Sequence, residues 1–335
     1  MSKCVIPADY RSSLSIYDTQ AAIGFLKRTF EDSLSCALNL KRVSAPLFVD
    51  PDTGLNDDLN GVERAVTFDI KETGTNGAVV HSLAKWKRMA LKMYGFPVGE
   101  GLYTDMNAIR RDEEMDNIHS IYVDQWDWEK VISKEMRTLG TLKDTVETIV
   151  GAICLTNDAL RVRYPSLNWK PGRSVTFVTT QELEDMFPNL TPKQRENEFV
   201  RRFKTVCIMQ IGAPLASGKP HDGRAPDYDD WTMNADIMFY NPVLDSAMEI
   251  SSMGVRVDEE ALERQLKMAH CENRRNLPFH QMLLNGELPY TIGGGIGQSR
   301  LCMLILGKAH IGEVQVSVWD QDTVKTAEEK GVKLL

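Results

Sequence analysis

Five apolar runs follow one another in the second half of the chain: SVTFVTT, KTVCIMQI, NADIMFY, SAMEISS and MGVRV. Each is strand-length and bounded by turn residues. A doubly wound parallel sheet needs a long crossover, usually a helix, between successive strands. Strand after strand therefore points to an α+β fold, an antiparallel β-sheet flanked by helices. The helices read from 3.6-residue periodicity. TQAAIGFLKRTFEDSL carries Ile23, Leu26, Phe30 and Leu34 on one stripe. SLAKWKRMALKM, TLKDTVETIVGAICLTNDAL and DEEALERQLKMA are three more, the last with Asp258 as N-cap. LNLKRVSAPLFV reads as one strand, with Pro46 fitting an edge or a bulge. ERAVTFDI and NGAVVHS around KETGT read as a hairpin, and IHSIYVDQWDWE as one long strand. With no low-complexity linker, repeat or composition break, residues 1–335 are expected to form a single domain.

Composition excludes some functions. Of 335 residues, 42% are hydrophobic and 26% charged, a globular balance, and the net charge of −8 is the wrong sign for a broad nucleic-acid surface. Six cysteines lack C-x-x-C spacing, which disfavours a zinc site or a disulfide framework and fits a reducing compartment. No apolar run reaches membrane-spanning length, and MSKCVIPADY lacks the pattern of a signal peptide. A cytoplasmic protein without a membrane or nucleic-acid partner is the expectation.

Six stretches concentrate polar groups. In TIGGGIGQSRLCMLIL the glycines fit neither the dinucleotide nor the Walker spacing; Arg300 falls on the first turn of the helix that follows, where it pairs with a phosphate or a flat ring, or is simply solvated. HSLAKWKR places Ser82 and Lys87 near a helix start, where lysines are most often solvated. Arg110 in AIRRDEE is a ligand contact or part of a surface charge run. In YVDQWDWE, Gln125, Asp127 and Glu129 share one strand face and Trp126 and Trp128 the other. The polar face is wet sheet or a ligand surface, and a Gln–Asp pair suits an ammonium group. GRAPDYDDW carries Asp227, Asp229 and Asp230, most simply as a solvated acidic loop. In MEISSMGVR, Glu249 offers hard oxygen to a cation and Arg256 a fork for a carboxylate. No histidine pair has metal-ligand spacing, and there is no nucleophile elbow.

Taken in order, these stretches resemble the catalytic core of class II aminoacyl-tRNA synthetases of the aspartyl branch. The first helix and the Pro46 strand resemble motif 1, Arg110 with YVDQWDWE motif 2, and Gly295 to Arg300 with LCMLIL motif 3. HSLAKWKR, GEGLYTDM, VDQWDWE, RAPDYDDW, SSMGVRVD and TIGGGIGQSR together are similar to the ammonia-dependent asparagine synthetases, from about Thr19 onward. The N-terminus, KETGTNG and EEMDNIH depart from that pattern as loop variation.

The resemblance implies ATP-dependent amidation of L-aspartate by ammonia through β-aspartyl adenylate. It implies that Gly295 and Gly297 line the ATP site, that Arg110 neutralises the α-phosphate, and that Arg300 covers the γ-phosphate and adenine. It implies magnesium on Glu249 and Asp236. Lys87 and Arg256 would read the substrate's side-chain carboxylate, Gln125 and Asp127 its amino group, with Ser82 and Ser252 adding hydrogen bonds. Asp57, in LNDDLNG, is the candidate base for ammonium with Asp229 as helper; otherwise Asp57 caps a turn before Asn60-Gly61. A homodimer through motif 1 is expected. Three other readings remain: an aspartyl- or asparaginyl-tRNA synthetase-like paralogue without an anticodon domain, a glutamine-dependent amidotransferase (position 2 is Ser2, not the nucleophilic cysteine), and a non-catalytic relative.

Overall fold

A computed structural model describes residues 4–57 and 63–335. Along the chain run α1 (Ile16–Leu38), β1 (Leu40–Arg42), β2 (Phe48–Val49), β3 (Thr67–Ile70), β4 (Thr75–Val79), α2 (Ala84–Tyr94), β5 (Gly101–Ile109) and β6 (Tyr122–Val131). Then come α3 (Leu139–Arg163), β7 (Thr176–Thr179), α4 (Thr180–Met186), α5 (Pro192–Phe203), β8 (Thr205–Met209), β9 (Asp229–Asn241) and β10 (Ser246–Arg256). The last elements are α6 (Glu259–Met268), α7 (Pro278–Leu284), β11 (Thr291–Gly297), α8 (Gln298–Ile305) and α9 (Gln321–Glu329).

The main sheet has the order β1-β5-β6-β11-β10-β9-β8-β7. Its six inner strands are mutually antiparallel, and only the edge strands β1 and β7 pair in parallel. The expected antiparallel α+β architecture is present. The hairpin expected around KETGT is β3–β4, in a second sheet of order β2-β4-β3.

Two strand expectations are corrected. The run through Pro46 is not one strand: β1 joins the main sheet and β2 the small one. Proline lacks the N–H that would continue a ladder, and the chain changes sheets there. SAMEISS and MGVRV, conversely, are one strand, β10. Its register slips between Glu249 and Ser251 against β9, a bulge that bends the strand without ending it.

Alternation along β6 decides what lies on each face. Trp126 and Trp128 are fully buried against the helices α1 and α3 in the largest core cluster. Phe30 of α1 lies 4.7 Å from Trp126, whose indole N–H donates to Glu31 Oε1 at 2.9 Å. A second cluster covers the opposite face, where Leu83, just before α2, and Leu91 within it meet Leu102 and Met106 of β5. Here α2 delivers Lys87 over the polar stripe of β6. Asp258 caps α6 as expected, accepting from the Ala261 N–H.

Candidate active site

The glycines of β11 sit directly opposite the polar stripe of β6. The register pairs Gly293 with Glu129, Gly295 with Asp127 and Gly297 with Gln125. A Cβ on Gly293 would lie 2.0 Å from Glu129 Oε2, and one on Gly295 would lie 2.4 Å from Gln125 Oε1. The alternating glycines are thus a strand whose missing side chains make room for those of β6. The helix α8 begins only at Gln298, with Arg300 on its first turn as the spacing predicts.

Beneath this lane lies a buried ionic layer. Lys87 Nζ is 2.5 Å from Asp127 Oδ1 and donates to the Gly294 carbonyl at 2.9 Å. Arg256 forks onto Glu129 through Nε and Nη2, at 3.0 and 2.7 Å, and its Nη1 donates to Asp229 Oδ1. Thr291 Oγ1 donates to Glu129 Oε1 at 2.7 Å. All of these side chains are buried. Burial pushes the Lys87 ammonium down and, against the pull of Arg256, the Asp229 carboxyl up. Burial also raises Glu129, but Arg256, Lys87 and Thr291 together outweigh it and the net displacement is downward. Lys87 and Arg256 face the carboxylates of Asp127, Glu129 and Asp229, and a third buried cation, Arg88 of α2, acts on Glu129 as well, so the formal charges of the layer balance.

Above the layer opens a cleft of about 380 Å³. Seven of the residues singled out from sequence line it: Arg110, Gln125, Glu249, Ser252, Gly295, Gly297 and Arg300. Arg110 follows the end of β5, and its Nε is buried without a hydrogen-bond partner. Arg300 Nη1 lies 3.7 Å from Glu249 Oε2 and donates to the Glu249 carbonyl at 3.3 Å, while Nε donates to the Ile118 carbonyl at 3.4 Å.

Other singled-out residues lie off the cleft wall. Lys87, Asp127, Asp229 and Arg256 form the layer below it. Lys87 and Asp127, expected at opposite ends of a substrate, are bound to each other. Asp236 is buried on β9 and accepts from Arg224 Nη2; burial and the charge of Glu249 push it up to about 7 against the pull of Arg224. Ser82 accepts from the Ala84 N–H at 3.1 Å, at the start of α2. Asp57 is buried, its carbonyl oxygen 3.0 Å from His81 Nδ1. The turn expected at Asn60-Gly61, like Ser2, lies outside the described residues.

Two local expectations fail. GRAPDYDDW is not a solvated loop: Asp227, Asp229 and Asp230 are all buried. Asp227 lies 3.3 Å from Lys85 Nζ, 3.2 Å from Arg274 Nη1 and 3.0 Å from His280 Nε2. Burial works against its charge, yet these partners, Lys85 first, hold it well below the usual carboxylate range. Nor are Lys85 and Lys87 solvated, since both are consumed by buried carboxylates. Sequence reasoning also missed Arg224 and Tyr228, which line the cleft from the same loop, and Glu129, which anchors Arg256. Strand parity had already put Glu129 on the right face.

No helix among the described residues is long and apolar enough to cross a membrane. Among solved structures, the fold is similar to asparaginyl-tRNA synthetase from Pyrococcus horikoshii complexed with asparaginyl-adenylate. That match has a TM-score of 0.66 and 13% identity over 89% of this chain and 68% of the other. Aspartyl tRNA synthetase from Entamoeba histolytica gives 0.59 and 18%, over 92% of this chain and 58% of the other. These place the architecture among the class II synthetases. Full-length sequence relatives narrow it further. The aspartate–ammonia ligase of Clostridium perfringens (strain 13 / Type A) is 60% identical over the whole of both chains. That of Lactobacillus acidophilus is 58% identical over 99% of this chain and 100% of its own. A synthetase-type sheet bearing a glycine lane, an ionic layer and an arginine-lined cleft thus coincides with a match to the aspartate-ammonia ligase model over residues 17–331, and the chain belongs to that family.

Proposed function

We propose that this chain makes L-asparagine from L-aspartate and ammonia, with ATP cleaved to AMP and pyrophosphate. The observation that carries the reading is the stacking of an arginine-lined cleft on a buried layer of paired charges, phosphate recognition above and amino-acid recognition below. The β-carboxylate of aspartate attacks the α-phosphorus of ATP and pyrophosphate leaves. Ammonia then attacks the β-carbonyl carbon of the adenylate. AMP departs with the former carboxylate oxygen, and one proton is released.

Arg110 takes the α-phosphate, where a preorganised cation acts on the charge that develops in the transition state. Arg300 takes the γ-phosphate and the adenine face, over the backbone of Gly295 and Gly297. Asp127 and Gln125 hold the α-ammonium group, which the buried Asp127 Oδ2, without a hydrogen-bond partner, supports. Lys87 and Arg256 orient the β-carboxylate, with Ser82 and Ser252 adding hydrogen bonds. Asp229, raised by burial, assists Asp57 in receiving the ammonium proton.

Magnesium fits Glu249 and Asp236. Asp236 Oδ1 is buried without a hydrogen-bond partner, and both side chains offer the hard oxygen the ion prefers. Bound there, the ion would offset phosphate charge. The reading takes residues 1–335 as one catalytic unit, cytoplasmic and without a nucleic-acid partner. It pairs two copies through α1 and β1 as an isologous homodimer. Light scattering that finds only a 37.8 kDa species would contradict the dimer.

AMP release from ATP and aspartate tests the function, run with ammonium, with glutamine, with tRNA and with none of them. Ammonium alone should give AMP and asparagine in equal amounts. AMP that depends on tRNA and ignores ammonium would overturn the reading.

A further inference from the structure

One end of the cleft is built unlike the rest. Ile118 and Ile311 bring apolar surface there, beside Arg300, Ser299, Asp124 and Gln315. Gln315 follows the short helical turn Ile311–Glu313 and is only 4% exposed. Its amide nitrogen donates to Ser299 Oγ at 3.0 Å and to Asp124 Oδ1 at 3.3 Å. That orientation is over-determined. The Asp124 carboxylate, 3.5 Å from Lys27 Nζ, accepts from the Ser299 N–H at 3.0 Å and from the Ser299 hydroxyl at 2.8 Å. With its proton given to Asp124, the Ser299 oxygen presents a lone pair to Gln315. Both neighbours of the amide nitrogen are therefore acceptors, so the amide cannot be flipped without setting oxygen against oxygen. The carbonyl oxygen, Oε1, is left buried with no hydrogen-bond partner. A buried acceptor without a donor is destabilising and calls for an explanation, and a ligand is one.

We infer that Gln315 is the base-specificity residue of the nucleotide site, its Oε1 accepting from the exocyclic amine of a 6-aminopurine. The inference rests on the ATP reading proposed above and adds to it the residue that tells adenine from other bases. A 6-oxopurine places a second acceptor against Oε1 and is rejected. An unsubstituted purine leaves Oε1 unpaired and binds like the bare ring. Asp124 and Ser299 act through Gln315 as positioning residues, and Lys27 neutralises the charge that they gather.

Calorimetric titration of the whole protein with AMP, IMP and purine riboside 5′-monophosphate tests this, on the wild type and on Gln315→Met. Methionine keeps the length and the burial but offers no amide. The wild type should prefer AMP over both analogues by on the order of tenfold to a hundredfold, the range expected when a site built for one neutral hydrogen bond loses it. In Gln315→Met the three should bind alike, at the wild-type affinity for purine riboside monophosphate. That analogue lacks the amine and reports whether the cleft is still formed. Retention of the AMP preference in the variant overturns the inference. So does an equal loss of all three nucleotides, which would make Gln315 a packing residue. Wild-type protein that binds none of them overturns the nucleotide reading itself, and the inference with it. Wild-type protein that binds all three equally overturns only the inference.

Discussion

Gly293 is a glycine because of Glu129. The two face each other across β11 and β6, and a Cβ on Gly293 would stand 2.0 Å from Glu129 Oε2 and 2.8 Å from Arg256 Nη2. Neither group can retreat, since both are buried in one ion pair. Gly293→Ala should therefore displace the pair and destabilise the fold by ~3 kcal/mol or more, as broken buried pairs do. Gly295→Ala meets mainly Gln125 Oε1, the end of a half-buried side chain that lines the cleft. It should melt near the wild type yet bind aspartate poorly. Equal melting temperatures for the two variants would show that the Glu129–Arg256 pair is not rigid.

Charges at the cleft wall and charges beneath it should fail differently. Arg300 makes long contacts, at 3.3 and 3.4 Å to protein carbonyls and 3.7 Å to the Glu249 carboxylate, and Arg110 Nε makes no hydrogen bond. Arg110→Ala and Arg300→Ala should remove most turnover while costing under about 1 kcal/mol of stability. Glu129→Ala should cost roughly 3–5 kcal/mol, because it leaves Arg256 charged and half-paired in the interior. Circular dichroism melts beside AMP release separate the two classes. Near-normal turnover in either arginine variant would refute the nucleotide site.

His310 gives the stability a pH dependence. It is fully buried, its Nδ1 accepts from the Gly312 N–H at 3.0 Å, and burial pushes it down to about 4. The unfolded chain then binds the proton more readily than the folded one. The stability due to the neutral ring is complete above about pH 6.5 and is lost as the pH falls towards 4, some 3 kcal/mol in all. His310→Asn keeps an acceptor for Gly312 but cannot titrate. Its denaturant midpoint should fall less steeply than the wild type's between pH 6.5 and 4. Parallel curves would mean that His310 charges without disturbing its surroundings.

What was legible in the sequence is what alternation and local chemistry encode. The face of β6 followed from parity, the cap of α6 from Asp258, and the antiparallel core from the order of runs. What was not legible required a partner far along the chain. Asp227 looks solvated in GRAPDYDDW because the lysine that neutralises it is 142 positions away. Glu129 and Arg256 are 127 apart. Burial of charge is stable only with both members present, and a local window holds one. The helix α5 is a different omission. Its capping box, Thr191 with Gln194, and Pro192 at its first turn are local signals that were present and unread.

The proposed use of ammonia sets this chain apart from a tRNA synthetase, and Asp57 is the proposed base. Ammonia at neutral pH is mostly ammonium, which has no lone pair to attack with. The group that binds it has to be an anion that can later accept a proton. Asp57 is buried, and its charge acts on Tyr228, which lines the cleft. The carboxylate therefore lies within electrostatic reach of a residue of the cleft wall. Asp57→Asn keeps the size and removes the base. The variant should still exchange pyrophosphate into ATP in the presence of aspartate, while asparagine formation falls by about a hundredfold, within the range of general-base losses. If both half-reactions fall together, Asp57 binds aspartate instead. If neither falls, its carboxylate is structural, and the proton goes to Asp229, for which Asp229→Asn is the matching test.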